Sequence, residues 1–371
     1  MMLMKYLFVI IFILVALFLA AGAVFLAFHF SDLFSFKEDK KKLSKKEKVR
    51  ARIFALLMVF LLAAWCVYKP YVGSIVTMHI IILWAIFDLI GFIVCKITGK
   101  RKNALIRFVC VALITTGLMT YGYYLAHSPI ETDYDLTTGK DVADLRVALI
   151  ADSHVGACFD GEEFAEYMKE IEVKSPDVLV ISGDFVDDDT TRKDMVRSCK
   201  ALGELKTKYG VFYVNGNHDK GYSSYRDFTY DDLMNELKAN NVTILEDQVA
   251  KIGGGYSIVG RLDKSHDARM AVDELIKQCG GDYTIVLDHQ PNDYDAEVKA
   301  GCDLVFSGHT HAGQFFPVGQ LAVLFGINDN NYGLEKRDNT DFIVTSGLGD
   351  WAIPIRTGCR AEYCIIDIKA Q

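Results

Sequence analysis

Long apolar stretches fill the first third of the chain, and short ones recur through the rest. The long ones are Leu7–Phe28, Ile53–Tyr68, Val72–Cys95 and Phe108–Ala126. A helix crosses the hydrocarbon core of a bilayer with about 20 apolar residues. Three of the stretches reach that length, and Ile53–Tyr68 is shorter. The first is longer than the roughly 7–15-residue core of a secretory signal, and only Lys5 precedes it. It reads as a retained span. Residues 1–128 are therefore expected to form a transmembrane region of four helices.

Beyond it the pattern changes. Residues 129–144 are polar and acidic, which predicts a linker. From residue 145 to 371, short runs follow: "RVALIAD", "DVLVISGD", "VFYVNGN", "YSIVGR", "YTIVLDH", "DLVFSGH", "FIVTSGLG" and "EYCIIDI". Each has a core rich in Val and Ile, closed by Gly, Asp or Asn, as expected of strands buried on both faces. Between some of them the period becomes helical. Phe164, Met168 and Ile171 fall at i, i+4 and i+7, with Pro176 as a stop. "YDDLMNELKANN" and "ARMAVDELIKQCGG" read the same way. Alternating strands and helices, then helix-poor strands, predict an α/β (α+β) domain with a mixed sheet or a two-sheet sandwich.

Charge orients this arrangement. Residues 37–52 hold nine Lys and Arg, and residues 96–107 hold five, whereas "KPY" between the second and third spans holds one. Positive loops stay in the cytoplasm, so both chain ends and the large domain are predicted to be extracytoplasmic. The net charge of −8 combines +11 over residues 1–128 with −19 over residues 129–371. Such an acidic domain lacks the basic surface that nucleic acid requires. Asp88 lies within the third span, about two turns from Lys96, and is expected at the interface or paired within the bundle. The nine cysteines show no zinc spacing, and no pair is assigned.

The candidate chemistry sits where the apolar runs end. These ends supply Asp152 and His154, Asp184 and Asp187, Asn217, His218 and Asp219, His289, and His309 and His311. Asp and Asn are ordinary turn residues. Histidine discriminates, because five of the six histidines beyond residue 128 close an apolar run. In α/β sheets the carboxyl ends of strands are where ligands bind. Imidazole with carboxylate, and without clustered thiolates, suits a divalent ion such as Mn, Fe or Zn. At least seven ligand candidates are enough for two ions. Glycines before Asp184, Asn217 and His309 allow tight turns.

The ordered set Asp152-x-His154, Gly183-Asp184-x-x-Asp187, Gly216-Asn217-His218-Asp219, His289 and Gly308-His309-x-His311 resembles the calcineurin-like metallophosphoesterases. "GHTHAGQ", "NNYGL" and "SGLG" with "IPIR" further resemble their membrane-attached bacterial branch, with Ala312 where that branch often has glycine. The resemblance spans roughly Leu145 to Ile368. It implies a mixed-sheet sandwich flanked by helices and two divalent metals. Asp152, His154 and His311 would hold one metal, Asn217, His289 and His309 the other, and Asp184 would bridge them. His218 would be a proton donor oriented by Asp187. The implied reaction is hydrolysis of a phosphoester, phosphodiester or pyrophosphate bond by metal-activated hydroxide. A lipid or cell-envelope precursor is the candidate substrate. The competing readings are a non-catalytic metal-binding scaffold and a membrane sensor.

Overall fold

A computed structural model describes residues 2–34, 43–99 and 103–371. Lys37 to Lys42 and Lys100 to Lys102, which carry part of the charge argument, lie outside the described residues. The chain divides into two compact units, Met1–Tyr121 and Gly122–Gln371.

The first unit is helical. It contains α1 (Met2–Leu33), α2 (Lys45–Tyr68), α3 (Pro70–Thr98) and most of α4 (Ala104–His127). All four helices are long and apolar enough to cross a membrane. Ser44 and Glu47 form a capping box that starts α2. Asp88 is paired within the bundle, to His29 at 2.9 Å and to Arg107. This agrees with the expectation that a charge at this depth needs a partner.

The second unit is a four-layer sandwich. Its strands are β1 (Ile130–Thr138), β2 (Leu145–Ile150), β3 (Val178–Ser182), β4 (Val211–Val214), β5 (Val242–Ile244), β6 (Gln248–Gly253), β7 (Tyr256–Gly260), β8 (Tyr283–Leu287), β9 (Leu304–Ser307), β10 (Gly333–Arg337), β11 (Thr340–Val344) and β12 (Glu362–Ala370). One sheet runs β1-β12-β2-β3-β4-β5 and the other β10-β11-β9-β8-β7-β6. Strand alternation explains the layers. In β2, Val147 and Leu149 point into the core between the sheets, where they meet Ile258, Ile285 and Phe306. Ala148 and Ile150 point the other way, toward α5 (Gly161–Val173) and α6 (Arg192–Glu204). The second sheet buries Val259, Val286 and Val305 with Leu275 of α8 (Val272–Cys279) and Tyr294 of α9 (Tyr294–Ala300). The remaining helices are α7 (Tyr230–Ala239) and α10 (Val318–Leu324).

Residues 129–144, expected as a linker, instead contain β1. It lies parallel to β12, from Ile130 opposite Glu362 to Thr138 opposite Ala370. Only Leu136 of this edge strand is buried, so it lacks the apolar run that marks an inner strand.

Candidate metal centre

Parallel pairing of β2, β3 and β4 in one sheet, and of β8 and β9 in the other, brings five carboxyl ends together. Ser182 ties the sheets directly beneath this edge, its hydroxyl donating to the Phe306 carbonyl at 2.9 Å. Asp152 and His154 follow β2, Asp184 follows β3, Asn217 and His218 follow β4, His289 follows β8, and His309 and His311 follow β9.

These side chains fall into two groups. Ligand atoms of Asp152, His154 and His311 lie within 4.8 Å of one another, and so do those of Asp184, His289 and His309. Asp184 reaches both groups, with Oδ2 3.1 Å from His289 Nε2 and 3.7 Å from His154 Nε2. Asn217 Oδ1 lies 3.3 Å from His289 Nε2, which places the amide beside the second group. Asp152, His154, Asp184, His289 and His311 are buried.

Two contacts set imidazole tautomers. His289 Nδ1 lies 2.8 Å from the Ser182 carbonyl, and His311 Nδ1 lies 3.2 Å from the Gly349 carbonyl. A carbonyl accepts only, so each Nδ1 carries a proton, and in the neutral ring Nε2 is the nitrogen left to bind at the site. His154 Nε2 is buried without a hydrogen-bond partner. Buried polar atoms are normally satisfied, and a lone pair aimed at carboxylates and other imidazoles fits a metal ligand. The donor set therefore fits two divalent ions.

The backbone carries strain here. Asp152, His154, Asp184, His309 and His311 all have φ between 39° and 68°. Left-handed non-glycine residues cost about 1–3 kcal/mol each and gather at functional sites. The glycines expected to allow turns also make room for ligands. A Cβ on Gly216 would run into Asp184 Oδ1, and one on Gly308 into Asp152 Oδ2.

Charge is shared across the edge. Burial opposes ionisation of Asp184, but His289, His154 and His218 hold it well below the usual carboxylate range. Burial disfavours the cation at His289, yet Asp184 and Asp152 lift it well above the ordinary imidazole value. His154 is buried too, and Asp187, Asp184 and Asp152 push it up to about 9. Burial and the neighbouring His289 press His309 down to about 4. His218 lies lower than usual because of burial.

One expected relation differs. Asp187 does not face His218; its Oδ2 lies 3.2 Å from His154 Nδ1. Among the described residues it makes no ion pair with His218. The Asp187 amide donates to Thr190 Oγ1 at 2.9 Å, and the hydroxyl donates in turn to Val155 O at 2.5 Å, so the loop turns the carboxylate toward β2. His218 is flanked instead by Tyr222 and Trp351, each with its ring centroid 5.2 Å away.

Three supporting residues carry no ligand pattern of their own. Asp219 accepts four backbone N–H groups, from Asp184, Phe185, Val186 and Gly216, at 2.7–3.1 Å. It knots the two loops that bring Asp184 and Asn217. Asp350, at 3.4 Å from His311 Nδ1, is paired in turn with fully buried Arg356 at 2.9 Å. Asp219 was visible as the last residue of "GNHD" and Arg356 as that of "IPIR"; nothing in the spacing marked Asp350.

A family model described as calcineurin-like phosphoesterase matches residues 145–313. An uncharacterized metallophosphoesterase of Helicobacter pylori is 30% identical over 280 residues, covering 72% of each chain. A transmembrane protein with metallophosphoesterase domain from Bos taurus is 27% identical over 290 residues, 73% of this chain and 64% of that one. Among solved structures, a dimetal phosphatase from Danio rerio aligns over 55% of this chain and 87% of its own, at 10% identity and a TM-score of 0.37.

Proposed function

The chain belongs to the metallophosphoesterases, metal-dependent hydrolases of phosphoester bonds, and from that premise we propose that residues 145–371 form a dinuclear hydrolase held at a membrane by residues 1–128. The observation that carries the proposal is Asp184 Oδ2, set between a ligand imidazole of each group. Asp152, His154 and His311 would hold one divalent ion. Asn217, His289 and His309 would hold the other, and Asp184 would bridge them. The donor chemistry suits Mn, Fe or Zn. When bound, such a pair stabilises phosphoryl oxygens and supplies an ionised water at neutral pH.

The protein's own groups do the rest. Asp184 and Asp152 are fixed by backbone donors, His218 N–H at 2.7 Å and His309 N–H at 2.9 Å, so the ligands are set before substrate arrives. His218 protonates the leaving oxygen. Burial makes its imidazolium a stronger acid, which passes a proton on readily. Trp351 and Tyr222 lie against that ring, each with its centroid 5.2 Å away. The substrate is a phosphoester of a lipid or cell-envelope precursor, with mono-, di- and pyrophosphate esters as the arms of a screen. The domain works on the extracytoplasmic side.

The test is metal content and turnover of the full chain in detergent. Loaded with Mn, it should hold close to two ions, Asp184→Ala should lose both, and His311→Ala should weaken mainly one. A saturated wild type with one ion or none would sink the dinuclear reading.

A further inference from the structure

The stretch after His311 has a composition unlike the rest of the domain. No Asp, Glu, Lys or Arg occurs between His311 and Asp329. In a soluble fold an apolar run is buried, but this one faces outward. Phe316, Val318, Leu321, Leu324, Phe325 and Ile327 are 42–75% exposed. Within α10 only Gly319 is buried, against Asn331. Exposed apolar surface of this extent marks a site of contact with another apolar phase.

Two sets of contacts say which phase. On one side the stretch is tied to the metal centre. Thr310, between the ligands His309 and His311, donates its hydroxyl to Asn331 O at 2.7 Å, and Gly313 sits so close to Gly319 that a Cβ would not fit. On the other side it is tied to the end of α4. Gln314 accepts from Thr357 N–H at 2.9 Å and donates to Ile353 O at 2.6 Å, and Phe316 N–H donates to Thr357 Oγ1 at 3.2 Å. The same 353–361 loop grips the last turns of α4. Arg356 N–H donates to Gly122 O and Ala361 N–H to Leu125 O, both at 3.0 Å. Arg360 lies over Tyr124, 5.0 Å from the ring centroid. Tyr123 and Tyr124 are about half exposed at the end of an apolar helix, the composition of a membrane–water boundary. One short loop thus holds the exposed apolar stretch beside the end of a membrane-crossing helix.

We propose that the uncharged segment Phe315–Ile327 seats in the lipid surface beside the end of α4, and that the phosphoester reaching the metal centre is carried on a membrane amphiphile. The proposal rests on the hydrolase reading for its substrate, but not for the lipid contact. Interfacial binding scales with the apolar area buried and needs no basic face when a spanning helix already anchors the chain. The lipid contact brings the head group to His309 and His311, while the ester's hydrocarbon tail stays with α10.

Two measurements on the full chain in phosphatidylcholine vesicles test it. The first reads the contact alone. The emission added by Phe325→Trp, relative to the parent protein, should be quenched by brominated acyl chains and little affected by aqueous acrylamide. Quenching by acrylamide instead, or by neither agent, would overturn the proposal; the second pattern means that protein covers the segment. The second measurement reads substrate. With Mn present, Leu324→Glu/Phe325→Glu should cleave a long-chain lipid phosphodiester about tenfold more slowly or worse, since taking even one leucine out of lipid accounts for that much. Its turnover of a soluble nitrophenyl phosphodiester and its thermal midpoint should not change. Equal loss on both substrates, or none on the lipid, overturns the substrate assignment. If the parent cleaves neither substrate while the tryptophan is quenched by bromolipid, the hydrolase reading has failed and the lipid contact stands.

Discussion

His218 and Asp187 were expected to work as a pair, and their separation changes what each should do when replaced. His218 touches no ligand carboxylate through its ring; only its backbone N–H does, to Asp184. His218→Asn should therefore keep both metals and lower turnover on an alkyl phosphodiester by about 10²–10⁴-fold, the usual range for a lost general acid. The nitrophenyl analogue should lose far less, because nitrophenolate leaves without a proton. Equal loss on both would mean that His218 binds phosphoryl oxygens instead. Asp187 acts through His154, so Asp187→Asn should follow another pattern. A carboxylate behind a metal-binding imidazole is worth about 10–100-fold in metal affinity. Titration should show that loss confined to one of the two ions, and excess metal should restore turnover on both substrates alike. A leaving-group dependence that excess metal does not remove would return Asp187 to His218. The motif supplied the residue types at the right strand ends. It did not supply side-chain direction, which depends on Thr190 and the turn around it.

At the scale of elements, all eight apolar runs formed strands, and the four strands that the pattern missed are β1, β5, β6 and β10. These are the four edges of the two sheets. An inner strand is covered on both faces and announces itself as an unbroken apolar run. An edge strand is wet, and β6 and β10 bury none of their residues. The site was legible for the same reason, since its residues end inner strands. The second sheet also hides a charged cluster that periodicity does not reveal. Arg261 donates to Asp288 at 2.7 Å, Asp293 at 2.8 Å and Glu297 at 3.3 Å, and Arg269 also pairs with Asp288. Two guanidinium groups face three carboxyls. Burial and the Asp288 carboxylate raise Glu297 well above its ordinary value, and Asp288 Oδ1 is a buried acceptor without a donor that a protonated Glu297 can satisfy. The native state then holds a proton that the unfolded chain releases above its ordinary value of 4.5. Stability from this group is fully present below pH 4.5 and declines as pH rises toward the folded value, by up to about 1.4 kcal/mol per pH unit. Glu297→Gln keeps the shape without the proton. Its thermal midpoint should match wild type near pH 4 and exceed it increasingly as pH rises above 4.5 toward the raised folded value. A constant offset across that range would show that Glu297 is ionised in the fold.

At the scale of the whole molecule, the side of the membrane decides which esters the metal centre meets. Charge favours the extracytoplasmic side. Basic loops resist translocation, the two basic loops flank an even number of crossings, and α4 leads into β1 within three residues. With four crossings, Lys48 at the start of α2 and Asp135 in β1 must lie on opposite sides. Both are exposed, with the Asp135 side chain 81% accessible, so neither substitution disturbs a core. Lys48→Cys and Asp135→Cys, made separately, should differ in intact cells toward a membrane-impermeant maleimide. Asp135→Cys should be labelled above the background of the native thiols, and Lys48→Cys only after the membrane is permeabilised. The reverse pattern would place the domain in the cytoplasm and remove envelope precursors from its reach. Labelling of both in intact cells would mean that the chain crosses an even number of times between them, with one of α2, α3 and α4 lying along the surface; Lys45–Tyr68, whose apolar part is the shortest, would be the first to examine by moving the cysteine to Lys69. The interfacial seat of α10 survives either sidedness, because it depends on the loop that joins it to the end of α4 and not on which compartment that end faces.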